Sequence, residues 1–432
     1  MNCFIRTMCA VAVGLMVAHG FAQTPTVSNV TMSQDQSRKV TITYTLDMPA
    51  VVTLDIETNV TGTAEWVSIG GENIRDVIGD VNKLVRTADS HTILWQPDRS
   101  WPNHKVPNNE ARAVVTAWAP DAPPEWMLID LSSKSNVTYA VSLEALPYGH
   151  PSNDIYKTSV VLMRKIPAAG RSFRMGITTG EANQDFLCGG KFDSWGDFKG
   201  LSNLCNPRLV SFTNDFYMSV YQFTESHYFT WKGTWASGHG ASYKEEPYDI
   251  CPRTDISVNS LRGTPTADHY DWPKHGHEVN AGSEFGLLRA YTGVDVDLPT
   301  EAQWEYACRA GEGRYRYDGG ATCAAAGVDK IAWYGTGTIY EHPVGKKNPN
   351  AWFMYDMYGN GRQLCLDWYE GGYSVSDIIE PTGPQSGSNR AFRGGPSSND
   401  ERYCASVLRG GWAPGSSHKW LTYRLTAPAV AK

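Results

Sequence analysis

The chain has 432 residues, a formal net charge of -7, 41% hydrophobic residues and 12% aromatic residues. Because no cluster of Lys and Arg rises above this acidic background, a surface for nucleic acids or anionic membranes is excluded as the basis of its function. No stretch approaches about 20 consecutive apolar residues, so we also expect no membrane anchor. The length is that of at least two domains.

Residues 1–22 have the pattern of a secretory signal peptide. Arg6 precedes an apolar run, and the small residues Gly20 and Ala22 flank the expected cleavage point. We therefore predict a secreted or periplasmic protein. Removing Cys3 and Cys9 from the nine cysteines leaves 9 - 2 = 7 in the mature chain. An oxidising compartment favours disulfides among them, and the odd number leaves at least one thiol unpaired.

Residues 23–120 are predicted to form an all-β domain. Four runs there alternate apolar and polar side chains, are rich in β-branched residues and are separated by polar breaks; they cover residues 40–46, 51–56, 91–95 and 113–118. This pattern is typical of an antiparallel sandwich, so we expect immunoglobulin-like or fibronectin-like topology. No catalytic cluster occurs in these runs, which suggests a spacer or adhesive role.

The next segment, residues 121–154, is predicted to be a linker with connecting strands. It follows a proline-rich stretch that is stiff in extended form, and the C-terminal domain is expected to occupy residues 155–432. Within that domain, Cys188 and Cys205 bracket a Gly-, Asp- and Asn-rich loop without apolar periodicity. A disulfide closing this loop is expected, and it would contribute about 3 kcal/mol in the chain-entropy model.

Residues 298–311 predict a short helix that is fixed at both ends. Thr300 and Gln303 have the spacing of a capping box. Gly311 is well placed to end the helix in a left-handed turn. A second short helix is predicted over residues 283–292.

Three motifs follow one another in the second half of the chain. They are LPTEAQWEYACRAG at 298–311, NAWFMYDMYGN at 350–360, and RGG at 393–395 followed by Cys404, Arg409 and Tyr423-Arg424. Together they resemble the hallmark segments of the formylglycine-generating-enzyme, or sulfatase-modifying-factor, family, over roughly residues 155–427. The resemblance implies a loop-rich, C-type-lectin-like α+β fold; pattern alone would indicate only α+β with many loops.

Enzymes of this family oxidise a sulfatase cysteine to formylglycine with two cysteines that bind copper(I), a soft ion suited to thiolates. In this chain the segment after the RGG motif offers only Cys404, which is therefore the single candidate catalytic residue. By the resemblance, Cys404 matches the family's structural cysteine, whose partner is Cys308. We therefore expect a Cys308–Cys404 disulfide and no copper site.

The resemblance also implies a calcium site, because the family cages this ion with oxygen ligands in the corresponding segment. Asp356, Gly359 and Gly361 match three ligand positions, and Gln363 replaces a glutamate. Calcium prefers hard oxygen ligands, and its affinity depends on their charge. With one anionic ligand remaining and Arg362 nearby, we expect at most a weak calcium site.

Two classes of function compete at this stage. The first, which we favour, is a secreted non-catalytic protein that binds a protein or a glycan through its C-terminal surface. Trp412, His418, Lys419 and Trp420 lie there, and aromatic rings beside hydrogen-bonding groups suit such ligands. The second class is an active formylglycine-generating oxidase or a related protein-modifying metalloenzyme.

Overall fold

The computed structural model describes residues 24–59, 65–105, 110–177, 207–241, 244–314, 316, 325–337, 341–370, 378–399 and 401–431. The predicted signal peptide and the predicted Cys188–Cys205 disulfide lie outside these residues. Among the described residues, no helix has both the length and the apolar character needed to cross a membrane.

The N-terminal region consists of short strands with two helical turns. Its described elements are β1 (Val27–Gln34), β2 (Val40–Leu46), β3 (Ala50–Thr58), β4 (Val67–Ser68), a 3-10 helix (Gly71–Asn73), β5 (Val77–Gly79), β6 (Lys83–Val85), β7 (Ser90–Trp95), α1 (Pro97–Ser100) and β8 (Ala111–Trp118). The four strands predicted from the sequence correspond to β2, β3, β7 and β8.

These strands form two antiparallel sheets. One has the order β1-β2-β7-β5, and the other has the order β4-β3-β6, with β8 also paired to β3. Side chains of β2 alternate between buried and half-buried, as expected for a strand with one face on a core. Ile42, Val52 and Ile93, which come from both sheets, belong to one hydrophobic cluster. An immunoglobulin-like or fibronectin-like topology stays a prediction.

The C-terminal region mixes strands with short helices. Its described elements are β9 (Trp126–Asp130), β10 (Asn136–Ala140), α2 (Ile155–Thr158), β11 (Val160–Ile166), β12 (Ser172–Met175), β13 (Arg208–Ser211), β14 (Phe216–Ser219), α3 (Glu225–Lys232), a 3-10 helix (Tyr248–Ile250), α4 (Val258–Arg262), α5 (Glu284–Thr292), α6 (Glu301–Arg309), α7 (Ala325–Val328), β15 (Ala332–Trp333), β16 (Tyr358–Gly359), β17 (Arg362–Trp368), β18 (Ile378–Ile379), β19 (Arg390–Arg393), a 3-10 helix (Glu401–Tyr403), β20 (Arg409–Trp412), β21 (Leu421–Thr422) and β22 (Thr426–Pro428). The fold is therefore mixed α/β and rich in strands.

Two sheets organise this region. A five-stranded sheet has the order β10-β9-β11-β14-β22, and a four-stranded sheet has the order β20-β19-β17-β21. Every residue of β17 is buried. Leu364 and Leu366 belong to one hydrophobic cluster and Cys365 to another, because successive side chains of a strand point to opposite faces. Strand β17 therefore lies between the two cores and is packed on both faces.

The predicted helix around residue 300 is α6, and its capping box is confirmed. The backbone N–H of Gln303 donates to the Thr300 hydroxyl at 3.1 Å, and the backbone N–H of Thr300 donates to the Gln303 side-chain oxygen at 3.0 Å. The predicted end is one residue off. Ala310, with φ of 49°, already adopts the left-handed conformation that ends the helix, before Gly311. The second predicted helix, α5, runs from Glu284 to Thr292.

The two connecting strands predicted within residues 121–154 are β9 and β10, which form part of the five-stranded sheet. They also contact the N-terminal region. The Tyr139 N–H donates to the carbonyl of Asn82 at 2.8 Å, and Val51 of β3 packs in the same hydrophobic cluster as Met127 and Leu364. The N-terminal and C-terminal regions therefore share a packed boundary.

Candidate functional site

The motif helix α6 places two carboxylates against the strands on either side of the RGG motif. Glu301 and Glu305 are one turn apart and so lie on the same helix face. Arg393 at the end of β19 is paired directly with Arg409 at the start of β20. Two adjacent guanidinium groups repel each other, so this register requires acidic partners. Helix α6 supplies them.

The resulting contacts form a buried ionic network, in which each of these four residues is at most 4% exposed. Arg393 Nε and Arg409 Nε both donate to Glu301 Oε1, at 2.7 and 2.9 Å. Arg393 also donates to Glu305 Oε2 at 3.0 Å. Arg309, one turn further along α6, donates to Glu305 Oε1 at 2.7 Å. The conspicuous charges of the motifs are thus bonded to one another inside the protein.

The electrostatics of the network follow from its pairing. Burial alone would raise the pKa of Glu301, but the guanidinium groups of Arg409 and Arg393 hold that pKa below its ordinary value. Asp367 accepts the Glu301 N–H at 2.8 Å. Its burial, together with the negative charge of Glu301, raises the pKa of Asp367 to about 7. Glu301 is therefore an anion in the folded protein, and its role is to hold the RGG segment.

The two cysteines expected to pair are both in the core. Cys308 and Cys404 are 0% and 2% exposed and belong to the same hydrophobic cluster. The structure does not support a disulfide between them, because both retain thiols. The Cys308 sulfur is hydrogen-bonded with the Tyr358 side chain, and Cys404 lies near Tyr334. Burial raises the pKa of the Cys308 thiol to about 12.

These residues do not fit a two-thiolate copper(I) site. The segment from Gly394 to Arg424 contains one cysteine, Cys404, and a two-coordinate copper(I) site needs two sulfurs. Burial also raises the pKa of the Cys308 thiol, which opposes the deprotonation that metal binding requires. Cys404 therefore offers neither the number nor the exposure of ligands that the family's chemistry uses.

The predicted calcium ligands are close together but are engaged with other groups. Gln363 Oε1 accepts from the Trp304 indole at 2.9 Å and from Arg424 Nε at 2.7 Å. Gln363 Nε2 donates to the carbonyl of Asp356 at 2.9 Å. Because the side-chain oxygen of Gln363 already holds two donors, one of them a cation, it does not fit a calcium ligand.

The other three predicted calcium ligands are two closely packed glycines, Gly359 and Gly361, and the buried Asp356. Gly359 and Gly361 have φ of 70° and 105°, and an added Cβ would lie 1.9 Å from the Trp333 carbonyl oxygen and 2.5 Å from the Thr422 methyl group. Close packing thus explains both glycines. Asp356 Oδ2 accepts the Gly345 N–H at 2.7 Å, and burial raises the pKa of Asp356 to about 6. Calcium binding stays a prediction.

The four residues predicted to form a recognition surface are brought together, and we call them the C-terminal aromatic patch: Trp412, His418, Lys419 and Trp420. The His418 ring lies 5.1 Å from the Trp412 ring and 4.5 Å from the Trp420 ring. The Lys419 ammonium group is 5.9 Å from the Trp420 ring. All four side chains are half-buried. The patch is contiguous, though less exposed than the sequence suggested.

The sequence pointed to Arg362 only as a charge near the predicted calcium site, and it gave no indication of Glu341. The Arg362 guanidinium lies 4.8 Å from the Phe392 ring and 5.1 Å from the Trp420 ring, so it adds a cation beneath the C-terminal aromatic patch. Glu341 is fully buried. The pairing of β17 with β21 brings Arg362 close to Trp420, and no local motif marks Glu341.

Comparison with known proteins identifies relatives for this region. The family described as the sulfatase-modifying factor enzyme 1-like domain matches residues 181–429. A formylglycine-generating enzyme of Thermomonospora curvata is 31% identical over 121 residues, covering 25% of this chain and 40% of that enzyme. The corresponding enzyme of Bos taurus is 30% identical over 143 residues, covering 30% of this chain and 38% of that enzyme. The chain thus spans less than half the length of these curated relatives.

Among solved structures, PvdO from Pseudomonas aeruginosa is 19% identical to this chain, with a TM-score of 0.46. The match covers 62% of this chain and 94% of that one.

Proposed function

The chain belongs to the sulfatase-modifying factor enzyme 1-like family, and from this membership we propose that it is a secreted or periplasmic binding protein that lacks the copper chemistry of the family's enzymes. Its ligand is a protein or a glycan. The N-terminal strands form an immunoglobulin-like or fibronectin-like sandwich that acts as a spacer. The C-terminal domain has the C-type-lectin-like fold and carries the recognition surface.

One observation carries this proposal: Cys404 has no second cysteine in its segment and is buried. It is the single cysteine in the segment that supplies the copper ligands, and it is 2% exposed. A catalytic pair would need a second sulfur and access to a peptide substrate. The neighbouring ionic network supports the same conclusion, because Arg393 and Arg409 are bonded to Glu301 rather than pointing into an open groove.

The C-terminal aromatic patch supports recognition as the function. Its tryptophan rings offer large, rigid contact areas, and Lys419 adds a cation at its edge. Aromatic residues are enriched where proteins meet their partners. The alternative function, an active formylglycine-generating oxidase or a related protein-modifying metalloenzyme, is favoured by the similarity to curated enzymes of that name.

An activity assay separates the two functions. The full chain is loaded with copper(I) and incubated with a peptide that contains the C-x-P-x-R sulfatase sequence. We expect no formylglycine by mass spectrometry, under conditions where an authentic enzyme converts the peptide. Formylglycine that forms with the parent chain and disappears with Cys404→Ser would establish the oxidase instead.

A further inference from the structure

A cleft with a volume of about 590 Å³ lies between the N-terminal and C-terminal regions. We call it the inter-region cleft; the polar side chains that line it include Arg75, Asp76, Arg99, Asp130, Asn136 and Tyr148. Pockets that hold small ligands have volumes of about 300 to 1,000 Å³ and often occur where two domains meet. No residue of the C-terminal aromatic patch lines this cleft, so the two are separate sites.

Backbone hydrogen bonds hold the two walls of the cleft together. The Gly71 N–H of the N-terminal region donates to the Glu144 carbonyl at 2.8 Å, and the Tyr139 N–H of β10 donates to the Asn82 carbonyl at 2.8 Å. The walls also approach closely, because a Cβ added at Gly71 would lie 2.2 Å from the carbonyl oxygen of Ala145. A cleft whose walls are already fixed loses little conformational entropy when a ligand binds.

The N-terminal wall offers charged side chains without an ionic partner. Arg75 and Arg99 are exposed, and Asp76 is half-buried. None of these three side chains forms an ion pair or a hydrogen bond with a residue that the structure describes. A guanidinium group only donates hydrogen bonds and a carboxylate only accepts them. This wall therefore has both donors and acceptors available to a ligand.

The C-terminal wall presents a carboxylate in a fixed orientation. Asp130 Oδ1 accepts hydrogen bonds from the Ser132 N–H at 2.9 Å and from the Ser132 hydroxyl at 2.6 Å. Asp130 Oδ2 accepts one from the Asn136 side-chain amide at 2.9 Å. Because each carboxylate oxygen has more than one acceptor position, Asp130 can still bind a ligand hydroxyl beside the Asn136 amide.

Tyr148 lies where the two walls meet. Burial raises the pKa of Tyr148, the negative charges of Asp130 and Asp76 add to the increase, and Arg75 opposes it. Charged groups from both walls are therefore close to this one phenol group. The charged side chains that line the cleft are two arginines and two aspartates, so their charges balance.

We infer that the inter-region cleft binds a neutral oligosaccharide. A sugar hydroxyl both donates and accepts hydrogen bonds, so one ligand can use the arginines, the aspartates and the Tyr148 hydroxyl together. An anionic or a cationic ligand would be attracted by one pair of charged side chains and repelled by the other. An apolar ligand would leave these donors and acceptors unpaired. The N-terminal region thus supplies one wall of a binding site in addition to the spacer role proposed above.

The test is saturation-transfer-difference NMR of the full chain with neutral trisaccharides of glucose, mannose, galactose, xylose or N-acetylglucosamine. We expect saturation transfer to at least one of them, with weaker binding of the galacturonate trimer, an anion, and of the glucosamine trimer, a cation. The Kd of the neutral ligand is then measured by titration calorimetry.

Variants of both walls locate the bound sugar. Arg75→Ala and Asp76→Ala should each raise the Kd about tenfold, because hydrogen bonds to charged groups are the stronger ones. Tyr148→Phe, which removes only the hydroxyl, should raise it about threefold. Arg86→Ala is the matched control, because it removes an exposed arginine of the N-terminal region outside the cleft, and it should leave the Kd unchanged.

Three results would overturn the inference: no saturation transfer to any of the neutral trisaccharides, tighter binding of a charged trimer than of every neutral one, or an unchanged Kd in the cleft variants. Melting curves show whether each variant is folded. If Asp76→Ala does not fold, Arg75→Ala decides the outcome, because the Arg75 side chain is exposed. A trisaccharide whose binding is lost with Trp412→Ala but kept in the cleft variants is bound by the C-terminal aromatic patch, which would refute this inference and support the proposed function.

Discussion

Two glutamates of the C-terminal region, Glu305 and Glu341, are both completely buried and have opposite surroundings. Glu305 accepts hydrogen bonds from Arg309, Arg393 and the Gly176 N–H. Neither carboxylate oxygen of Glu341 has a hydrogen-bond partner among the residues that the structure describes. Equal burial therefore accompanies a carboxyl group with several donors in one place and a carboxyl group without a partner among the described residues in the other.

The difference teaches that the groups around a buried carboxyl decide whether the cost of its burial is offset. Burial raises the pKa of Glu341 to about 9, and the opposing effect of Lys244 is too small to prevent this, because Lys244 is bonded to Glu225. In the network of α6 the cations point at the carboxylates directly. Removing a partner from the first glutamate and replacing the second by a group that does not ionise should thus have opposite effects on stability.

The largest effect is expected for Arg393→Ala. The substitution leaves Glu301 and Glu305 buried with one partner fewer each, and breaking a buried ion pair in this way costs about 3 to 5 kcal/mol. We expect the free energy of unfolding, measured by urea denaturation, to fall by that amount. As the control, Arg112→Ala removes an arginine that is 51% exposed and paired with Glu57, and it should cost less than about 1 kcal/mol. Similar losses for the two variants would contradict the comparison.

Glu341→Gln should instead stabilise the protein at neutral and alkaline pH. In the unfolded chain this carboxyl loses its proton near its ordinary pKa of 4.5, whereas in the folded protein it keeps the proton to about pH 9. Because the folded state binds more protons between these values, the free energy of unfolding falls as pH rises, by up to about 1.4 kcal/mol per pH unit. Glutamine has no proton to lose and avoids this cost.

The measurement is urea denaturation of the parent and the variant from pH 4 to pH 8. The variant should gain about 2 kcal/mol or more at pH 8, and the two should converge near pH 4, where the parent's glutamate is protonated in both states. Glu312→Gln, which changes an exposed glutamate, should show no such trend. A destabilised Glu341→Gln at pH 8 would mean that the carboxylate is charged and satisfied in the folded protein.

The sequence predicted the parts of this molecule that depend on local pattern. The capping box of Thr300 and Gln303 needs only four consecutive residues, and the strands of the N-terminal region need only alternation. The resemblance carried by three motifs identified the family. The family resemblance did not reveal that Glu301 accepts hydrogen bonds from Arg393 and Arg409. That contact depends on the pairing of β19 with β20.

The incorrect or incomplete predictions share a physical cause: they depend on the direction of side chains in the folded protein. Cys308 and Cys404 reach the same hydrophobic cluster, yet both retain their thiols. The oxygen of Gln363 is in the expected segment, but Trp304 and Arg424 occupy it. Glu341 carries no motif at all, so its isolation became visible only with the fold.

The smallest effect on stability is expected from added calcium. This prediction extends the comparison of buried glutamates to Gln363, a neutral hydrogen-bond acceptor. Gln363 accepts a hydrogen bond from Arg424, as Glu305 accepts one from Arg393. Asp356 is the one acidic side chain among the four predicted calcium ligands. A ligand that binds only the folded state stabilises a protein by RT ln(1 + [L]/Kd), so a weak site contributes little. We therefore expect millimolar calcium, added to EDTA-treated protein, to raise the melting temperature by no more than about 1 °C. A larger, saturable increase that disappears with Asp356→Asn would show that calcium displaces Arg424 from this site.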